Sequence, residues 1–130
     1  MLKGVMGLIE KDRKFLFGIE AKEVPYKGKW RLLGGKLDGD ENAEEAMIRE
    51  SMEEAGVKIK VLGFLGEMKC KGDKGEIIVE MCYSKWISGE LKPAAREIDI
   101  LKWFSLEEAK KLETDIVSAK ALELFEKKLF

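Results

Sequence analysis

The stretch GGKLDGDENAEEAMIRESMEEAGV, residues 34–57, decides how this chain is read. It opens on two glycines and passes a turn-rich run in which Gly39 sits between Asp38 and Asp40. It then continues from Glu41 to Ala55 without Gly or Pro. Good helix formers fill that run, and Gly56 stands where a left-handed C-terminal cap is favoured. The spacing therefore predicts a helix from Glu41 to Ala55. At 100° per residue, Glu50, Glu53 and Glu54 share one stripe within about 6 Å of axial rise. Like charges three and four residues apart repel, and Arg49 is the one nearby base that offsets them. On the same wheel Ile48, Met52 and Ala55 fall opposite, which makes that side the expected core face and leaves Ser51 on the flank.

Charge is concentrated in the same place. Between Asp38 and Glu54 lie eight acids and one base, a net −7, while the rest of the chain carries +6. A solvated helix face explains such a run in general. A site for a divalent cation explains it too, because clustered hard oxygen donors suit Mg²⁺ or Mn²⁺. Gly34, Gly35 and Gly39 add weight to the second reading, since glycines let backbone N–H and C=O groups approach a ligand closely.

Outward from this segment, Gly4 to Ile9 and Phe15 to Ile19 read as strands joined by the turn Lys11-Asp12-Arg13-Lys14. Glu20 to Lys29 is a polar loop holding Pro25 and Gly28, and Trp30 to Leu33 is a short apolar stretch. Val57 to Met68 and Glu76 to Trp86 read as long strands around a Gly72-Asp73-Lys74-Gly75 turn. That register separates Cys70 from Cys82 and argues against a disulfide. Ile98 to Phe104 is a further strand, Ser105 and Glu108 have capping-box spacing, and an amphipathic helix runs from about Asp115 to Lys128. No linker or repeat divides the 130 residues, so the expectation is one α+β domain spanning residues 1–130.

Composition narrows the chemistry. The chain has no histidine, which excludes Ser-His and Cys-His catalysis and His-ligated zinc. A net charge of −1 makes a nucleic-acid partner unlikely on this reading. Two cysteines, no signal-peptide pattern and no apolar run near 18 residues imply a cytoplasmic protein that does not cross a membrane, monomeric or homodimeric.

Together these residues resemble the Nudix box: Gly, five residues, Glu, seven residues, then Arg-Glu-U-x-Glu-Glu-x-Gly-U, with U bulky and aliphatic. Gly35, Glu41, Arg49, Glu50, Glu53, Glu54 and Gly56 meet all seven fixed positions, and Ser51 is the one departure, at an aliphatic position. Leu33 also stands where many relatives have proline. The resemblance implies a Nudix α/β/α sandwich with a mixed sheet between helices. It implies a metal-dependent hydrolase that cleaves a nucleoside diphosphate derivative, with Mg²⁺ or Mn²⁺ as cofactor and a small nucleotide as substrate. Carried over by position, Glu50, Glu53, Glu54 and the Gly35 carbonyl would be metal ligands. Arg49 would pair with Glu41 and hold the loop against the helix. Glu53 is the favoured general base, and Glu97, outside the box, would complete the metal site or act as base. Lys36, Gly34 and Gly35 would meet the phosphates. Lys3, Arg13, Lys14, Lys22 and Lys27 are further candidates for the anion.

Within the family, the short chain and the absence of ADP-ribose, dinucleoside-polyphosphate and coenzyme A signatures point to the MutT-like class, which cleaves nucleoside triphosphates. Thr114, Asp115 and Ser118 lie where such relatives read the base, although helix capping is the preferred reading of Thr114 and Asp115. Three alternatives stay open: an ADP-ribose or other nucleoside-diphosphate-X pyrophosphatase, a non-catalytic nucleotide sensor, and an enzyme acting on 5′ RNA ends.

Overall fold

Leu2–Lys11 (β1) is the strand on which the fold is built, and its side chains alternate between two apolar layers. Val5 and Ile9 point to one layer, Met6 and Leu8 to the other. A strand buried on both faces needs cover on both sides, and the remaining elements supply it. The computed structural model describes residues 2–20, 29–72, 74–94 and 98–129. In chain order the other elements are β2 (Lys14–Glu20), β3 (Leu33–Lys36), α1 (Ala43–Ala55), β4 (Lys58–Gly72), β5 (Gly75–Ser88), β6 (Ile98–Ser105), α2 (Leu106–Lys110) and α3 (Ile116–Leu129).

The strands form one mixed sheet in the order β4-β5-β1-β2-β6, with β3 pairing β1 off this path. β1 runs parallel to β5 from Leu2 to Glu10 and antiparallel to β3 from Gly4 to Gly7. The hairpin to β2 closes at Lys11 opposite Lys14, with Asp12 and Arg13 at φ 50° and 64°. Such a two-residue turn needs positive φ at both central positions. Helix α1 covers the layer of Val5, Leu16, Met47 and Ile98, while α2 and α3 cover that of Leu8, Phe17, Met81 and Phe125. This is the expected α/β/α sandwich.

Cys70 lies opposite Ile77 and Cys82 opposite Phe64, and both thiols are free. Trp86 and Trp103 pack on the α1-side core, as their strand context suggests. Residues 21–28, with Lys22 and Lys27, lie outside the described residues, as do Asp73 and Glu97.

One expectation is overturned. Helix α1 does not turn Ile48 and Met52 inward; they are 38% and 51% exposed. Its buried residues are Ala43, Ala46, Met47, Ser51, Glu54 and Ala55. The side that carries Glu50 and Glu54 is therefore the side that faces the protein. Helix α1 packs on the glycine strand β3 with Ala43 and Ala46 on its buried side and Met47 filling the space over Gly7 of β1. Ser51 is fully buried and donates to the Met47 carbonyl at 2.7 Å. A hydroxyl at an aliphatic position is thus satisfied within its own helix.

Candidate functional site

The helix starts two residues later than predicted because Asn42 caps it. Its side chain accepts from Glu45 N–H, and Glu45 returns a bond to the Asn42 N–H. Glu41 is thereby left in the loop, where Arg49 reaches it. Arg49 Nε and Nη2 donate to the two Glu41 oxygens at 2.7 and 3.0 Å. Nη2 also donates to the Lys36 carbonyl at 3.1 Å. The bidentate pair holds Glu41 below the usual carboxylate range, while the Arg49 guanidinium is held still more firmly protonated. The loop is thus tied to the helix as expected.

The third corner of the guanidinium, Nη1, donates to Glu50 at 2.9 Å and to Glu53 at 3.1 Å. Glu53 is half exposed, whereas the Glu50 side chain is only 13% exposed. The Glu50 carboxyl presses on Gly35: a Cβ there would stand 2.7 Å from it. Burial first, and then the charges of Glu54 and Glu53, push the Glu50 carboxyl up to about 7, with Arg49 pulling the other way.

Glu54 is 3% exposed. One oxygen accepts the Gly34 N–H at 3.0 Å, and the other accepts from Arg31 Nη2 at 3.0 Å. Gly34 itself has φ +156°, and a Cβ on it would lie 2.0 Å from the Val5 carbonyl oxygen. Only glycine fits there. The two glycines therefore bring β3 against the carboxylates of α1.

The three carboxylates fit a hard cation by donor type and by unbalanced charge. Ionising Glu50 in this half-dry place beside two other acids is costly unless positive charge joins them. Among the described residues, no three of them already converge on one point. Arg49 Nη1 bridges Glu50 and Glu53 instead.

A cavity of about 190 Å³ adjoins this region, lined by Glu20, Lys29, Trp30, Arg31 and Asp115. A more open groove continues from it along Gly4, Met6, Gly34, Gly35 and Lys36. Lys36 is exposed beside the glycines, and Lys3 stands at the same end of β1. Arg13 and Lys14 lie beyond the other end of β1, away from this groove. Asp115 caps α3 by accepting the Ser118 N–H, and buried Ser118 accepts the Leu32 N–H. Thr114 bridges to Trp30 through the backbone.

Arg31 and Glu20 were not legible as site residues. The one available signal is that Arg31 is the single charge in the apolar run Trp30 to Leu33.

The NUDIX domain model matches residues 3–125. ADP-ribose pyrophosphatase of Methanocaldococcus jannaschii is 37% identical over 113 residues, covering 85% of this chain and 66% of that protein. CTP pyrophosphohydrolase of Escherichia coli is 29% identical, covering 84% of this chain and 79% of its own length. The crystal structure of a MutT NUDIX hydrolase from Burkholderia pseudomallei superposes with TM-score 0.82 at 25% identity, over 95% of this chain and 96% of that one.

Proposed function

This chain belongs to the Nudix family, and from that premise we propose that it is a metal-dependent pyrophosphohydrolase of nucleoside triphosphates, releasing nucleoside monophosphate and pyrophosphate. The observation that carries this reading is that the carboxylates of α1 lie against the glycine strand, Glu54 on the Gly34 N–H and Glu50 on Gly35, beside a cavity of about 190 Å³ that continues into a more open groove of about 240 Å³ along Gly34, Gly35 and Lys36. A base in the cavity and phosphates along the groove fit that layout.

Glu50, Glu53, Glu54 and the Gly35 carbonyl would hold Mg²⁺ or Mn²⁺. When bound, such ions neutralise phosphate charge and make water more nucleophilic. The protein's own groups do the positioning. Arg49 fixes the loop through Glu41 and Lys36 O, and Glu54 fixes the glycine strand through Gly34 N–H. Lys36 offers its ammonium to a phosphate at the exposed end of the groove. Glu53, the most solvent-accessible of the three acids, is the one best placed to take a proton from water.

The 37% identity to an ADP-ribose pyrophosphatase favours a second reading, in which ADP-ribose is the substrate. A panel of nucleoside triphosphates, including oxidised purine ones, and ADP-ribose, run with Mg²⁺ or Mn²⁺ in ¹⁸O-water, separates the two. Triphosphates giving monophosphate and pyrophosphate support the first reading, and label in pyrophosphate would mean attack at the β-phosphorus. Preferential cleavage of ADP-ribose supports the second. Orthophosphate as first product overturns the triphosphate reading.

A further inference from the structure

Arg31 occupies an unusual place. Its backbone is locked by two bonds with Gly18, each 2.9 Å. Its side chain is mostly buried and spread across three partners. Nε lies 2.9 Å from Glu20, Nη1 donates to the Leu32 carbonyl at 2.9 Å, and Nη2 donates to Glu54 at 3.0 Å. Arg31 lines both the cavity and the more open groove. Glu54 in turn accepts the Gly34 N–H, next to the glycine that packs on Glu50.

We infer that Arg31 is a positioning residue: it sets the orientation of the Glu54 carboxylate, and through Glu54 the register of the glycine strand against helix α1. This rests on the proposed metal-dependent reading of the site. A planar fork is suited to the task, because it donates to Leu32 O and Glu54 in fixed directions while its charge faces Glu20 without a hydrogen bond from Nε, whereas an ammonium is a point charge on a flexible stem. Partners that orient metal ligands typically change metal affinity or activity by about 10- to 100-fold when removed.

The test separates position from charge. Arg31→Gln, Arg31→Lys and Glu20→Gln are compared with the unaltered protein. Mn²⁺ affinity is read without substrate from the paramagnetic resonance of free Mn²⁺, and kcat and KM are read on a nucleoside triphosphate. Arg31→Gln is expected to weaken Mn²⁺ binding and lower kcat, each by about 10- to 100-fold, with KM held within about threefold. Arg31→Lys keeps the charge and is expected not to restore either. Glu20→Gln is expected to act in the same direction, less strongly and non-additively with Arg31→Gln.

A residue that matters only as a positive charge gives the opposite pattern: Arg31→Gln tightens Mn²⁺ binding, and lysine restores the original values. Either result overturns the inference, as does a rise in KM alone, which would mean direct contact with substrate. If Arg31→Gln does not fold, Arg31→Lys alone decides, because it loses the fork and retains the charge. Absence of Mn²⁺ binding and turnover in the unaltered protein would instead remove the proposed function and this inference with it.

Discussion

Replacing Glu50 by glutamine should stabilise the metal-free protein, and only at neutral to alkaline pH. The carboxyl goes from an ordinary 4.5 to about 7 in the fold, so the folded state holds its proton over a range where the unfolded chain has released it. The stability contributed by protonated Glu50 is complete below about pH 4.5, falls away as pH rises to about 7, and is absent above that. The full difference corresponds to roughly 3 kcal/mol. Solvent at the carboxylate edge reduces this to about 1–2 kcal/mol. Glutamine is nearly isosteric against Gly35, and Arg49 keeps both bonds to Glu41. For a domain of this size the gain should appear as a rise in Tm of about 3–8 °C. Far-UV circular dichroism melts in EDTA measure it, at about pH 5, where the two proteins should nearly coincide, and at about pH 8, where they should separate. Saturating Mn²⁺ should reverse the order, since a ligand stabilises the form that binds it better. A lower Tm for Glu50→Gln at alkaline pH in EDTA, or an equal difference at both pH values, would refute the account of Glu50 as a buried, uncompensated charge.

Glu54→Gln should have the opposite sign. It leaves Arg31 facing a neutral amide in a buried place, and is expected to cost about 2–3 kcal/mol in urea denaturation of the metal-free protein. Gly35→Ala puts a methyl 2.7 Å from the Glu50 carboxyl; turnover should fall by orders of magnitude while circular dichroism keeps its folded form. Gly34→Ala, which meets the Val5 carbonyl at 2.0 Å, should fail to accumulate as folded protein. Hydrolysis should stop in EDTA and return with added Mg²⁺ or Mn²⁺, as assayed by chromatography of products.

The fold was legible wherever a single local rule decided it. The strand segments 4–9 and 15–19, the Lys11–Lys14 turn, the Gly56 cap and the Ser105–Glu108 capping box all stand in the structure close to where the sequence puts them. Arg49 with Glu41 was legible through the resemblance, and the geometry supplies the physical reason: the Asn42 cap frees Glu41 to be gripped. What could not be read was the rotation of α1. A wheel sorts residues by polarity, and polarity places Ile48 and Met52 inside and Glu54 outside. The structure inverts this because the helix is seated on a glycine strand: Ala43 and Ala46 face the sheet, Met47 fills the space over Gly7, and Glu54 is held there by the Gly34 N–H.

That inversion changes what the acidic stripe means. Repulsion among exposed glutamates would be relieved by neutralising any of them, so Glu53→Gln and Glu54→Gln would both be expected to stabilise the metal-free helix. With the stripe facing inward, the carboxylates are no longer equivalent. Glu53 remains half in solvent, where its ion pair with Arg49 is worth little, and its replacement should change stability slightly. Glu54 has Arg31 and a backbone donor, and losing its charge costs stability. Glu50 alone carries more burden than Arg49 relieves, so its loss is a gain. Three glutamates within five residues thus make three distinct contributions. If all three glutamine variants shift the metal-free Tm in the same direction at about pH 8, the inward rotation of α1 is not what governs this site.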